Sequence, residues 1–271
     1  MLKYRWIEEV LGETWATIAG RLDSASEADY ERATPCPGWS VKDVLSHLAG
    51  FELMIRGAPV PLYDRPWPSY VRNPIGEFNE AFVADLRTKS GREVLALFRD
   101  ATARSLDALV SLSDGEWERV GWSPEGERPY HRFQETRIVD SWIHLNDIFD
   151  ALSEPDRDHG RGEEVVVGRF LSTLPYVVAK RSGAREGTLV AVTVVGPRQR
   201  RVVVEYVGGR ASFVEPERTS VALEVTTSSA LFWRRAAGRV GVEEFLRADA
   251  TEIRGDLVMG ERLVSGLTTM I

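Results

Sequence analysis

Only four histidines occur in the 271 residues, His47, His131, His144 and His159, so their placement is informative. Asp140 and His144 are spaced i, i+4 in a segment without Gly or Pro. On a helix that spacing sends both side chains from one face, with Cβ atoms roughly 6 Å apart. His47 falls among Val44, Leu45 and Leu48, which would turn the same side of a second helix toward an apolar interior. Two imidazoles and one carboxylate meeting inside a helical bundle would make a three-ligand divalent-metal site. A coordination position would be left open, as in catalytic rather than structural zinc. The same residues also read more simply, as hydrogen-bonded core histidines and a helix-stabilising Asp–His pair. Asp147, one turn beyond His144, is either an acceptor holding that imidazole or a solvated charge. His131 and His159 stand in polar loop contexts. Cys36, between two prolines with no His or Lys adjacent, reads as a small apolar packing residue rather than a nucleophile.

These residues need helices to position them, and the periodicity supplies them. Ile7, Val10, Leu11, Trp15, Ile18 and Leu22 share one face of a first helix. After the Pro-rich ATPCPG loop, Ser40 and Asp43 form a capping box, so that a helix starts at Val41, carries His47 and ends near Ile55 before Gly57 and Pro59. Phe78 to Leu86 is helical in pattern, Ser90 and Glu93 cap a helix running through Val110, and Phe133 to Leu152 carries Asp140 and His144. Four principal helices make a four-helix bundle the economical reading.

Composition changes near residue 155. Lys plus Arg number 17 against 26 Asp plus Glu up to that point and 17 against 15 after it, and seven of the eight tryptophans lie in the first part. The second part holds Val-rich runs, Leu189 to Val195 and Val202 to Val207, that read as strands. A helix from Glu164 to Lys180 would precede three or four strands reaching about Thr226. A helix from Ser228 to Gly238, a short strand at Glu252 to Arg254 and a last helix ending near Leu267 would complete it. The polar stretch SEPDRDHGRGEE serves as a linker. The expected class is therefore α+β, with a helical domain over residues 1–155 and a smaller α+β domain over 156–271.

The segment ATPCPGWSVKDVLSHLAG, followed some ninety residues later by RIVDSWIHLNDIFDAL, resembles the mycothiol-dependent maleylpyruvate isomerase family. Its N-terminal domain is a DinB-like metal-binding four-helix bundle, and a sterol-carrier-like domain follows. In that family a His from the capped helix, with a Glu and a His four apart on the fourth helix, hold the metal. The resemblance carries these roles to His47, Asp140 and His144, with Asp one methylene shorter than the family's Glu. The stretches FWRRAAGRV and IRGDLVMGERLVSGL are similar to the end of the second domain, which implies an anion-binding catalytic arginine at Arg239 or Arg254. The implied thiol is mycothiol, the pseudo-disaccharide thiol of actinobacteria. The implied reaction is addition of its sulfur to an activated double bond, rotation about the resulting single bond, and elimination to the trans isomer. Other members resemble thiol S-transferases.

Zinc is the expected ion, although two imidazoles and a carboxylate also suit Ni, Mn or Fe. The expected partners are a small electrophilic substrate and a low-molecular-weight thiol. A net charge of −7 lacks the basic footprint that nucleic acid requires. No stretch approaches a membrane span, the N-terminal segment carries acids where a signal peptide would be apolar, and one cysteine precludes an internal disulfide, so the cytoplasm is the expected compartment. Two rival readings keep less of this chemistry. One is a metal-assisted hydrolase with Asp147 or Glu52 as base, and the other is a non-enzymatic binding or regulatory protein with a vestigial site.

Overall fold

The computed structural model describes residues 3–153 and 160–269. The chain divides into two compact units, Met1–Gly162 and Glu163–Ile271. In the first, helices α1 (Arg5–Leu22), α2 (Glu27–Tyr30), α3 (Val41–Ile55), α4 (Pro74–Leu86), α5 (Gly91–Val110) and α6 (Asp114–Glu118) precede a short hairpin of two-residue strands, β1 (Val120–Gly121) and β2 (Arg128–Pro129). The long helix α7 (Tyr130–Ala151) follows.

Helices α1, α3, α5 and α7 form the bundle, and the pattern of packing sets its ring order. α1 lies against α5 and α7, and α3 lies against the same two, so α1 and α3 face each other across the bundle, as do α5 and α7. The links from α1 to α3 and from α5 to α7 are accordingly long, and α4 packs outside the ring against α3. This arrangement sets α3 beside α7, and so brings His47 to the helix that carries Asp140 and His144. The interior is apolar, with Ile7, Leu11, Ile18, Leu45, Phe98, Ile138 and Trp142 fully buried.

Capping fixes where the helices begin. Ser40, Ser90 and Ser113 each accept from the backbone N–H three residues on, and the Asp43, Glu93 or Glu116 carboxylate accepts in return from the cap N–H. Helix α4 begins at Pro74 rather than Phe78, because Asn73 caps it through Gly76 N–H and the proline occupies the first turn. Helix α7 begins at Tyr130, so His131 lies in its first turn rather than in a loop.

The second unit is mixed. The single helix expected over Glu164 to Lys180 is two, α8 (Arg161–Leu171, beginning at the end of the first unit) and α9 (Leu174–Lys180). Pro175 lacks the N–H that would continue the ladder to Leu171 and crowds that carbonyl. Strands β3 (Thr188–Val195), β4 (Arg200–Val207), β5 (Arg210–Val214), β6 (Leu223–Ser228) and β7 (Glu252–Gly255) form a sheet in the order β5-β4-β3-β6-β7. β3 and β6 run parallel, and the other neighbours are antiparallel. Helices α10 (Ser229–Ala236) and α12 (Leu257–Gly266) pack on β6, and α9 packs on β4 and β5. A short helix, α11 (Val242–Arg247), was not evident from the hydrophobic pattern. The α+β class expected from the sequence is the one observed. No helix among the described residues is long and apolar enough to cross a membrane.

Two expectations follow for stability. A Cβ on Gly50 would stand 2.5 Å from Phe82 Cβ, so Gly50→Ala forces α3 and α4 apart and is expected to cost about 1–3 kcal/mol in urea unfolding. The Glu93 carboxyl is held below its ordinary range by the Ser90 backbone N–H and hydroxyl. Its contribution is complete above the unfolded pKa and is lost as pH falls through the folded one. Glu93→Gln keeps the capping geometry and is expected to flatten that part of the acid loss in urea midpoints measured across the carboxylate range.

Candidate metal centre

α3 delivers His47 into the bundle, 3% exposed, and α7 delivers Asp140 and His144 one turn apart. His47 Nε2 lies 3.1 Å and 3.4 Å from the two Asp140 oxygens. His144 Nε2 lies 3.6 Å from Asp140 Oδ1. One donor atom from each of the three residues fits within a span of 4.8 Å. Ligand atoms about 2.0–2.1 Å from a tetrahedral ion stand about 3.3 Å apart, so these spacings suit a shared cation, and Asp reaches far enough despite its shorter side chain. The two imidazole rings are 4.9 Å apart at 72°, edge to face. The Asp140 side chain is 29% exposed while the histidines are buried, so the carboxylate marks the side from which a small molecule can approach.

The outer contacts differ for the two rings. His144 Nδ1 meets the Asp147 carboxylate at 3.0 Å, and Asp147 is wholly inaccessible to solvent. A carboxylate on Nδ1 fixes the tautomer that leaves Nε2 free to ligate, the usual support of a metal-binding histidine. Asp147 is thus a buried acceptor and not a solvated charge. His47 Nδ1 is buried without a hydrogen-bond partner among the described residues, and its ring is held instead by packing. Trp39 lies 5.2 Å from it and Phe51 6.5 Å. Trp39 also stands 6.2 Å from the His144 ring, and its indole N–H is fixed by Glu80 at 2.9 Å.

Cys36, expected to pack as a small apolar residue, instead donates its thiol to Asp147 Oδ2 at 3.3 Å and lies 3.9 Å from His144 Nδ1. Its polar neighbours come from α7, more than a hundred residues away, so no local pattern could have revealed them. Glu80 gave no sequence signal either. It accepts from Trp39, Tyr70 and Arg87. Burial opposes the charge on Arg87, but hydrogen bonds from its guanidinium to Asp43 and its contacts with Tyr70 and Glu80 hold its pKa above the usual range.

The remaining candidates lie elsewhere. His131 stacks on Tyr4 at 4.7 Å, between Glu118 and Glu135. His159 falls outside the described residues. Glu52 is locked by Arg137, which is itself buried and sits over the Trp15 ring. In the second unit, Arg239 follows α10 and donates to the Ala237 carbonyl at 2.8 Å, while Arg254 is exposed on β7 and paired with Glu252. Arg235 is a structural arginine whose guanidinium reaches the carbonyls of Val240, Val264 and Ser265.

No curated protein sequence matches the chain. Among solved structures, a mycothiol-dependent maleylpyruvate isomerase aligns over 93% of each chain with a TM-score of 0.60 at 17% identity. A histidine-to-alanine mutant of such an isomerase aligns over the same shares with a TM-score of 0.56 at 16% identity. At that identity the likeness establishes a shared fold. Residues 11–149, which take in α3, all but the end of α7 and all three converging side chains, match the mycothiol maleylpyruvate isomerase N-terminal domain, and the chain belongs to that family.

Proposed function

We propose that this protein is a metal-dependent, thiol-using isomerase or S-transferase of the mycothiol-dependent maleylpyruvate isomerase type, with His47, Asp140 and His144 as the metal ligands. The observation that carries the reading is the convergence of these three side chains, with the Asp147 carboxylate on the far nitrogen of His144. His47, Asp140 and His144 would hold a divalent ion, and such an ion would supply the positive charge that lowers the pKa of a thiol and favours its nucleophilic thiolate at neutral pH.

The chain's own groups prepare that event. Asp140 and the two imidazole nitrogens supply a donor set with one negative charge, so a divalent ion held there would keep net positive charge for an anionic sulfur. Asp147 holds His144 in the tautomer that points a lone pair inward. Trp39 and Phe51 place ring surface beside His47, which keeps water from that flank. The family resemblance alone implies Arg239 as the arginine for an anionic group of the substrate, since a guanidinium binds a carboxylate through paired donors. Zinc is the ion we expect there, and the same donor set also suits Ni, Mn or Fe.

The hydrolase alternative is weaker because its candidate bases are engaged. Both Glu52 oxygens are taken by Arg137, and Asp147 is committed to His144 and Cys36. Thiol-dependent turnover separates the proposed reading from a non-enzymatic one.

Purified protein is expected to carry one equivalent of divalent metal by elemental analysis, and His47→Ala to lose it. Titration of the metal-loaded protein with mycothiol is expected to release or absorb heat that disappears in His144→Ala; heat unchanged in that variant would refute metal-mediated thiol capture. Arg239→Ala is expected to raise KM for an anionic electrophile by about one to two orders of magnitude, as loss of a charge-assisted contact of about 1.5–3 kcal/mol would, with metal content unaltered.

A further inference from the structure

We propose that Cys36 is a positioning residue that fixes the tautomer and orientation of His144 by acting through Asp147. The role of His144 as a ligand rests on the function proposed above, whereas the action of Cys36 on the ring does not need a bound ion.

Asp147 is completely buried, and a carboxylate so placed needs hydrogen-bond donors to replace water. Its Oδ2 accepts from two sides: His144 Nδ1 at 3.0 Å and the Cys36 thiol at 3.3 Å. Both donors engage the same oxygen, so the thiol shares with Nδ1 the hold on Asp147 Oδ2 and adds to the constraint on the carboxylate. The sulfur stands by Nδ1, while Asp140 meets the same ring at Nε2. Cys36 therefore reaches the centre through a hydrogen-bonded carboxylate and not as a fourth donor beside Nε2.

The sulfur is held by a built turn. Cys36 N–H donates to Thr34 Oγ1, whose hydroxyl donates to the Trp39 carbonyl, and Trp39 N–H returns to the Cys36 carbonyl at 3.1 Å. Gly38 closes the turn at φ +75°, and a Cβ there would meet the Tyr70 ring at 2.4 Å. Arg87 donates to the Gly38 carbonyl. The same turn carries Trp39, whose ring lies beside both imidazoles. A thiol suits the span better than a hydroxyl, because an O–H donor usually needs its acceptor within about 3.0 Å.

The test compares wild type, Cys36→Ser and Cys36→Ala in the full-length protein, each first checked for wild-type circular dichroism. In metal-free samples, nitrogen NMR of the imidazoles is expected to show His144 predominantly as the Nδ1–H tautomer in wild type, with a smaller Nδ1–H share in Cys36→Ala. In metal-loaded samples, chelator competition is expected to raise the dissociation constant on the order of tenfold in Cys36→Ala, by analogy with other outer contacts of metal-binding histidines. Cys36→Ser should fall between the two. Unchanged tautomer and affinity in Cys36→Ala would overturn the proposal. So would a sulfur-to-cobalt charge-transfer band in the wild-type cobalt form that vanishes in both variants, because Cys36 would then be a ligand. If wild type takes up no metal but the tautomer still shifts in Cys36→Ala, the role of Cys36 stands and the metal function falls.

Discussion

The structure depends on one constraint: ionisable side chains drawn into the interior of a helical bundle must satisfy one another. Asp147, His144, Asp140 and His47 form a continuous string of polar contacts between two helices whose other inward residues are largely apolar. Stranding a buried donor or acceptor costs about 1–3 kcal/mol, and more when the group is charged. Each member of the string therefore constrains the rotamer of the next. What would be a burden for a structural core becomes precision for a site, since the freedom of each ring is removed before any ligand arrives.

A second buried pair shows the contrast. Arg137 and Glu52 belong to the same two helices, yet they consume each other, with Gln134 completing the guanidinium's contacts. An arginine paired in this way has no geometry left for a substrate anion. The two clusters divide the α3–α7 contact into a part open for chemistry and a part closed by mutual charge. Asp140 retains partial exposure on the open part.

Much of this was legible in the amino-acid sequence, for physical reasons. The serine caps and the 3.6-residue period are local signals, and they located the helices bearing His47, Asp140 and His144 closely. Asn73 and Pro74 are also local signals, but the aromatic and proline content around them masks a helix start as a loop. Pro175 should have broken the helix drawn through it. The surroundings of Cys36, the commitment of Glu52 to Arg137 and the hold of Glu80 on Trp39 were not legible, because each depends on which distant segments the fold sets side by side. Hydrophobic periodicity states which face is inward and says nothing of what stands opposite.

The ring order has a kinetic consequence. His47 and Asp140 are separated by 93 positions along the chain, and the helices that carry them are joined by crossing links rather than a short turn. Closing so large a loop is costly in chain entropy and is recovered only when most of the bundle has assembled. The third donor, His47, would then join the Asp140–His144 pair only late in assembly, so a complete three-donor cage is a product of the finished bundle and not its seed.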